Sequence, residues 1–121
     1  MIRLAILVAT LTAAAPAAAA SFDCARARAA DEIAICRSPV LSNLDTAMAA
    51  HWFAYSRIPM AMGGSGARRD DARDFLRARH TCRADAACLA RLYRARIAVL
   101  QGGIAGAMAQ LSHITLGTPL P

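Results

Sequence analysis

The stretch HTCRADAACLARLYRARI, residues 80–97, reads as helix at both ends yet carries two cysteines, Cys82 and Cys88, six positions apart. In a continuous α-helix that separation is a rise of about 9 Å, beyond the ~7 Å that a disulfide tolerates between α carbons. A bond between them therefore demands a break, and RADAA supplies one, with Asp85 placed to cap the helix that follows. Cys24 and Cys36 would likewise tie an extended N-terminal segment to the end of a first helix. Four cysteines permit three pairings. The two local ones close short loops, and each is worth about 2 to 3 kcal/mol by chain entropy. The spacings do not match the C-x2-4-C pairs of structural zinc sites, and no C-x-x-C redox motif occurs. The cysteines are read as staples, with no metal and no cofactor.

Staples of this kind belong to an oxidising compartment, and the N-terminus agrees. Met1, Ile2 and Arg3 precede an apolar run to Leu11 and then TAAAPAAAA, small residues that end just before Ser21. A charged start, an apolar segment shorter than the ~20 residues of a membrane span, and a small-residue cleavage site define an export signal over 1–20. The mature protein is expected in the periplasm or secreted, without a transmembrane segment. Ser21, Phe22 and Asp23 precede Cys24, where an acylated cysteine would need small or aliphatic residues, so no lipid anchor is expected. A mature chain of about 100 residues is one small domain with a modest core, which needs such staples.

Periodicity places about four helices in an all-α bundle or hairpin. ARAADEIAIC, residues 27–36, is a short first helix. Ser38 and Pro39 are an N-cap and first-turn pair that starts a second, running to about Arg57 with Leu41, Leu44, Met48, Trp52 and Tyr55 on one face. PMAMGGSG, residues 59–66, is an exposed connector between two antiparallel helices. The third helix runs from Ala67 to about Thr81, with Ala72, Phe75, Leu76 and Arg79 facing inward. The fourth starts near Asp85 and carries Leu89, Leu92, Tyr93, Ile97 and Leu100. The adjacent Gly102 and Gly103 cost about 2 kcal/mol of helix propensity, so a bend, a stop and a continuation through 104–111 all remain open. The domain is expected over 21–112, followed by a flexible tail over 113–121.

All 14 basic residues are arginine. Without Arg3, 13 arginines face 8 acidic residues, a formal charge of +5. Such a protein favours anionic partners, although arginines spread along the chain and interleaved with Asp read first as a solvated surface in place of lysine. Arg69, Arg73 and Arg77 form a column at i, i+4, offset by Asp70 and Asp74, and are the candidate anion-binding face. His51, His80 and His113 are scattered, and no Ser-His-Asp grouping, HExxH or phosphate loop occurs. The chain does not read as an enzyme, and nucleic acid is not an expected partner.

Several segments taken in order resemble the bacterial LprI-like family, whose name comes from a lysozyme inhibitor. FDCARARAADEIAIC is similar to the family's opening and SPVLSNLD to its Leu-x-x-Leu-Asp segment. FLRARHTC followed by CLARLYRARIAVL resembles its aromatic, Arg, Cys, Cys-Leu, Tyr, Arg ending, so the resemblance covers residues 22–100. It implies a small exported helical domain with paired cysteines and, for some members, inhibition of lysozyme. Asp45, Arg79 and Arg96 fall at matching positions beside apolar stripes and are read as an ion pair that orients helices. If the family function applies, lysozyme or another cell-wall glycosidase is the partner. The connector would then offer Arg68 and Arg69 to the two carboxylates of the enzyme cleft. The alternative class is an Arg-rich envelope-binding or structural domain of the periplasm.

Overall fold

The computed structural model describes residues 19–60 and 63–115. All but the last two residues of the expected export signal, and residues 116–121 of the expected tail, lie outside this range. Among the described residues the fold is all-α, with two disulfides, Cys24–Cys36 and Cys82–Cys88, whose α carbons are 5.7 and 5.6 Å apart. Both local pairings are thus the ones formed.

A single 3-10 turn, Cys24–Arg26, is started by Asp23, whose Oδ1 accepts from the Ala25 amide at 2.9 Å. Helix α1, Ala30–Arg37, begins three residues later than its periodicity suggests. Glu32 sets that start: its Oε2 accepts from the amides of Arg28 and Ala29, which holds 28–29 outside the helix. Those two bonds also draw the Glu32 carboxyl below its ordinary pKa. Helix α2, Pro39–Ser56, follows at once, with Pro39 in its first turn and Ser38 Oγ accepting from the Leu41 amide at 3.3 Å. Ser42, fully buried, donates to the Ile35 carbonyl at 2.8 Å and fixes the bend between α1 and α2.

Helix α3, Gly64–Cys82, reaches further back than expected and absorbs residues 64–66 of the glycine-rich connector. Gly63, at φ 86, supplies the left-handed turn that lets it begin there. The corner after α3 has Arg83 at φ 51, and Asp85 caps helix α4, Ala86–Thr115, by accepting from the Cys88 amide at 2.9 Å. The Cys82–Cys88 bond spans this corner, as the break required.

Helix α4 runs through Gly102 and Gly103 without a stop, and residues 113–115 of the expected flexible tail are its last turn. Gly103 has a steric role: a Cβ there would lie 2.6 Å from Tyr55 Cε2. At Gly102 a Cβ would meet nothing within 4 Å. The glycine pair therefore marks where α2 crosses α4 closely, the most extensive helix contact in the molecule.

The core gathers Ile35 of α1, Leu41 of α2, Phe75 of α3, and Leu89 and Tyr93 of α4, with Phe75 and Tyr93 edge to face at 5.5 Å. Leu44, Met48 and Leu92 pack against it as half-buried residues. Leu76 is a correction: expected inside, it is 49% exposed, because the inner face of α3 is carried by Phe75 and Arg79 and leaves Leu76 pointing outward.

Two sets of outcomes follow for stability. Replacing Cys82 and Cys88 with Ser should lower unfolding free energy by about 2 kcal/mol, and replacing Cys24 and Cys36 by about 3 kcal/mol, read from urea midpoints without reductant. Gly102→Ala should raise stability by about 0.5 to 1 kcal/mol. Gly103→Ala should instead lower it by about 1 to 2 kcal/mol, since the Tyr55 ring must move aside.

Candidate functional site

Two regions carry the chemistry of this chain: a line of polar side chains buried between the helices, and an open groove where α4 outruns α2. The polar line begins at Asp45 on α2, 1% exposed. Its Oδ1 accepts the Tyr93 hydroxyl of α4 at 2.8 Å, and its Oδ2 accepts the Ser21 backbone N–H at 2.6 Å. Burial, then the bond to Asp45, pushes the Tyr93 phenol well above its ordinary pKa, so it stays a donor.

Arg79 lies one step away on α3. Its Nε donates to Asp31 Oδ2 of α1 at 2.8 Å, its Nη2 stands 3.8 Å from Glu32, and its guanidinium lies 5.5 Å from the Phe22 ring centre. The other Asp31 oxygen faces His80 Nδ1 at 3.5 Å. Arg96 of α4, 7% exposed, donates to Asp71 of α3 and lies between the rings of Trp52 and Phe75, at 5.7 and 5.6 Å. The three polar residues singled out in the sequence, Asp45, Arg79 and Arg96, each bridge helices but do not pair with one another: Asp45 and Arg79 both interact with the Tyr93 hydroxyl, and Arg96 stands apart with Asp71.

Asp31 and Tyr93 are the members that sequence reasoning missed as polar partners. The signal for Asp31 was its i, i+4 relation to Ile35, which puts both on the buried face of a short helix. Tyr93 was legible as core, and its hydroxyl, once buried, required a partner.

The groove has a volume of about 410 Å³ and is lined by Tyr55, Ile58, Met60, Gly64, Gly103 and Ala107 among others. Arg68 is placed differently from the expectation of a protruding loop residue. It sits in the second turn of α3, 7% exposed, donates to the Ile58 carbonyl at 2.9 Å and lies 4.6 Å from the Tyr55 ring centre. It braces the corner from beneath, and its neighbour Arg69 is exposed. Arg73 and Arg77 are exposed on the same column, each paired with the Asp three residues before it.

Among the described residues no group of His, Cys, Asp and Glu could hold a metal ion. One described helix, Ala86–Ile114, is long and apolar enough to cross a membrane by length and composition, with mean hydropathy 1.2 and 6% of that window buried. No other described helix is long and apolar enough by that measure. Compared with known proteins, the chain matches no family model, no curated protein and no solved structure.

Tyr93→Phe keeps the ring against Phe75 and removes the donor from a buried carboxylate. Unfolding free energy should fall by about 2 kcal/mol, measured by urea denaturation. A change below about 0.5 kcal/mol would show that Asp45 is satisfied without it.

Proposed function

We infer that this chain is an exported, disulfide-stapled interaction module that blocks a cell-wall glycosidase such as lysozyme. The observation that carries the reading is the unspent apolar surface at one end of the bundle. Helix α4 continues well past the end of α2, where Gly106, Ala107 and Gln110 line the groove, and its last turns leave Met108 57% and Ile114 68% exposed. Apolar surface of that kind on a small, stapled domain marks a place where a partner binds. The resemblance of residues 22–100 to the LprI-like family supplies the class of partner.

The geometry revises how the corner would act. Arg68 stacks under the corner and limits its freedom, which reduces the entropy lost on docking. Arg69, exposed and one residue on, is the group that reaches toward a cleft carboxylate. An Arg–carboxylate pair in a water-poor cleft is charge-assisted and bidentate, and its loss costs about 2 to 5 kcal/mol.

A second reading, association with the anionic envelope, is favoured by the same α4 window, apolar and largely unburied, together with Arg69, Arg73 and Arg77 on the neighbouring helix. One pair of assays separates the two. Purified oxidised protein should inhibit lysozyme on cell walls, and Arg69→Ala should weaken inhibition by about 30-fold or more with unchanged helicity. No inhibition of any lysozyme class, together with sedimentation on anionic vesicles that is lost at high salt, would replace the inhibitor reading with the envelope one.

A further inference from the structure

Asp45 is a fully buried carboxylate whose two oxygens are held by neutral groups, the Tyr93 hydroxyl and the Ser21 amide. Among the described residues, no Arg or His makes an ion pair with it. A buried carboxylate without a direct counter-charge is costly, and Arg79, itself paired with Asp31, meets Asp45 only through the Tyr93 hydroxyl they share. The group that does face Asp45 Oδ2, at 2.6 Å, is the backbone nitrogen of the residue that follows Ala18, Ala19 and Ala20. That nitrogen is where a small-residue cleavage site would leave a new N-terminus.

We propose that Asp45 is the receptor for the mature N-terminus: removal of residues 1–20 turns the Ser21 amide into an α-ammonium, which forms the ion pair that Asp45 lacks. The step is a hydrolysis by the export peptidase. Water adds across the Ala20–Ser21 peptide bond, its oxygen leaves with Ala20 as a carboxylate, and Ser21 departs as an amine that takes up a proton. The nitrogen is already in place, so the charge arises at hydrogen-bond distance from its partner. Two contacts go with the leader: the Thr46 hydroxyl no longer donates to the Ala19 carbonyl, now at 2.6 Å, and Ala20 no longer packs on the core. A neutral tether in the precursor is exchanged for a charged one in the processed protein. The exchange ties the N-terminal segment, and through Cys24–Cys36 the end of α1, to α2 and α4. Processing thereby consolidates the fold.

The inference rests on the export part of the functional reading and not on its target, so inhibition assays and the measurements here fail independently. The test compares oxidised protein that begins at Ser21, released without a scar from a fusion, with protein that begins at Ala20. Ala20 has a place in the structure and the Ser21 amide keeps its bond to Asp45, so the extension removes charge from that atom without adding a clash. The Ala20 form should melt about 5 °C or more below the Ser21 form. With Asp45→Asn the difference should shrink to under about 2 °C. Should the Asn variant not fold, N-acetylation of the Ser21 form supplies the second arm: it leaves an N–H donor, removes the charge, and should lower the melting temperature to a similar extent. Equal melting of the Ser21, Ala20 and acetylated forms would overturn the ion pair. Mass spectrometry of exported protein should find a chain beginning at Ser21, and any other N-terminus would overturn the proposal whatever the melts show.

Discussion

The bond between the Tyr93 hydroxyl and the Asp45 carboxylate joins the two helices on which the rest of the bundle is assembled. Helices α2 and α4 share the largest contact in the molecule, and this bond lies wholly inside it. The apolar residues around it have little direction of their own, since Leu41, Leu89 and Ile35 could pack in several registers. A hydroxyl that must donate and a carboxylate that must accept cannot shift by a turn without leaving a buried charge unpaired. The register of α2 on α4 then sets where Gly103 meets Tyr55, and so where the corner of α3 is braced by Arg68.

How much of this was legible depended on whether the signal was local. The breaks at Ser38–Pro39 and at Asp85 were readable because a cap is a contact between near neighbours, and both form as expected. The Cys82–Cys88 staple was readable because helical rise forbids it in an unbroken helix. What escaped was set across the bundle. Gly102 and Gly103 look alike in sequence, and only the approach of Tyr55 gives the second one its role. Arg68 looked like the tip of a connector because its partners, the Ile58 carbonyl and the Tyr55 ring, lie on the far side of that connector. The same holds for Asp45 and the two arginines at family-like positions: each was expected to be structural, and its partner in each case comes from another helix or from the N-terminal segment.

The length of α4 has a physical cost that bears on function. Helix propensity at Gly102, Gly103 and Gly106 is poor, and beyond the close crossing the helix gains little from packing. A stretch that remains helical and apolar with so little covered is held by its N-terminal half, which is stapled and buried, and is available to whatever meets its C-terminal half. The two ends of the molecule are thus unlike. One is closed by two disulfides, and the other presents apolar helix beside an open groove.

The arginines complete that asymmetry. Ten of the 13 described arginines are exposed, as a solvated replacement for lysine would be, whereas Arg68, Arg79 and Arg96 are largely buried and each lies within 6 Å of an aromatic ring. A guanidinium can do this because it is planar, weakly hydrated and rich in donors, whereas an ammonium would lose its hydration shell without a comparable set of contacts. Arg73 and Arg77, in turn, have Asp70 and Asp74 beside them, which lowers the field they project. Five of the 13 described arginines are therefore either packing material or locally compensated, and eight others are exposed. The exposed surface is therefore mixed, with apolar side chains at the end of α4 and the exposed arginines on the rest of the molecule, so that the two are segregated along it.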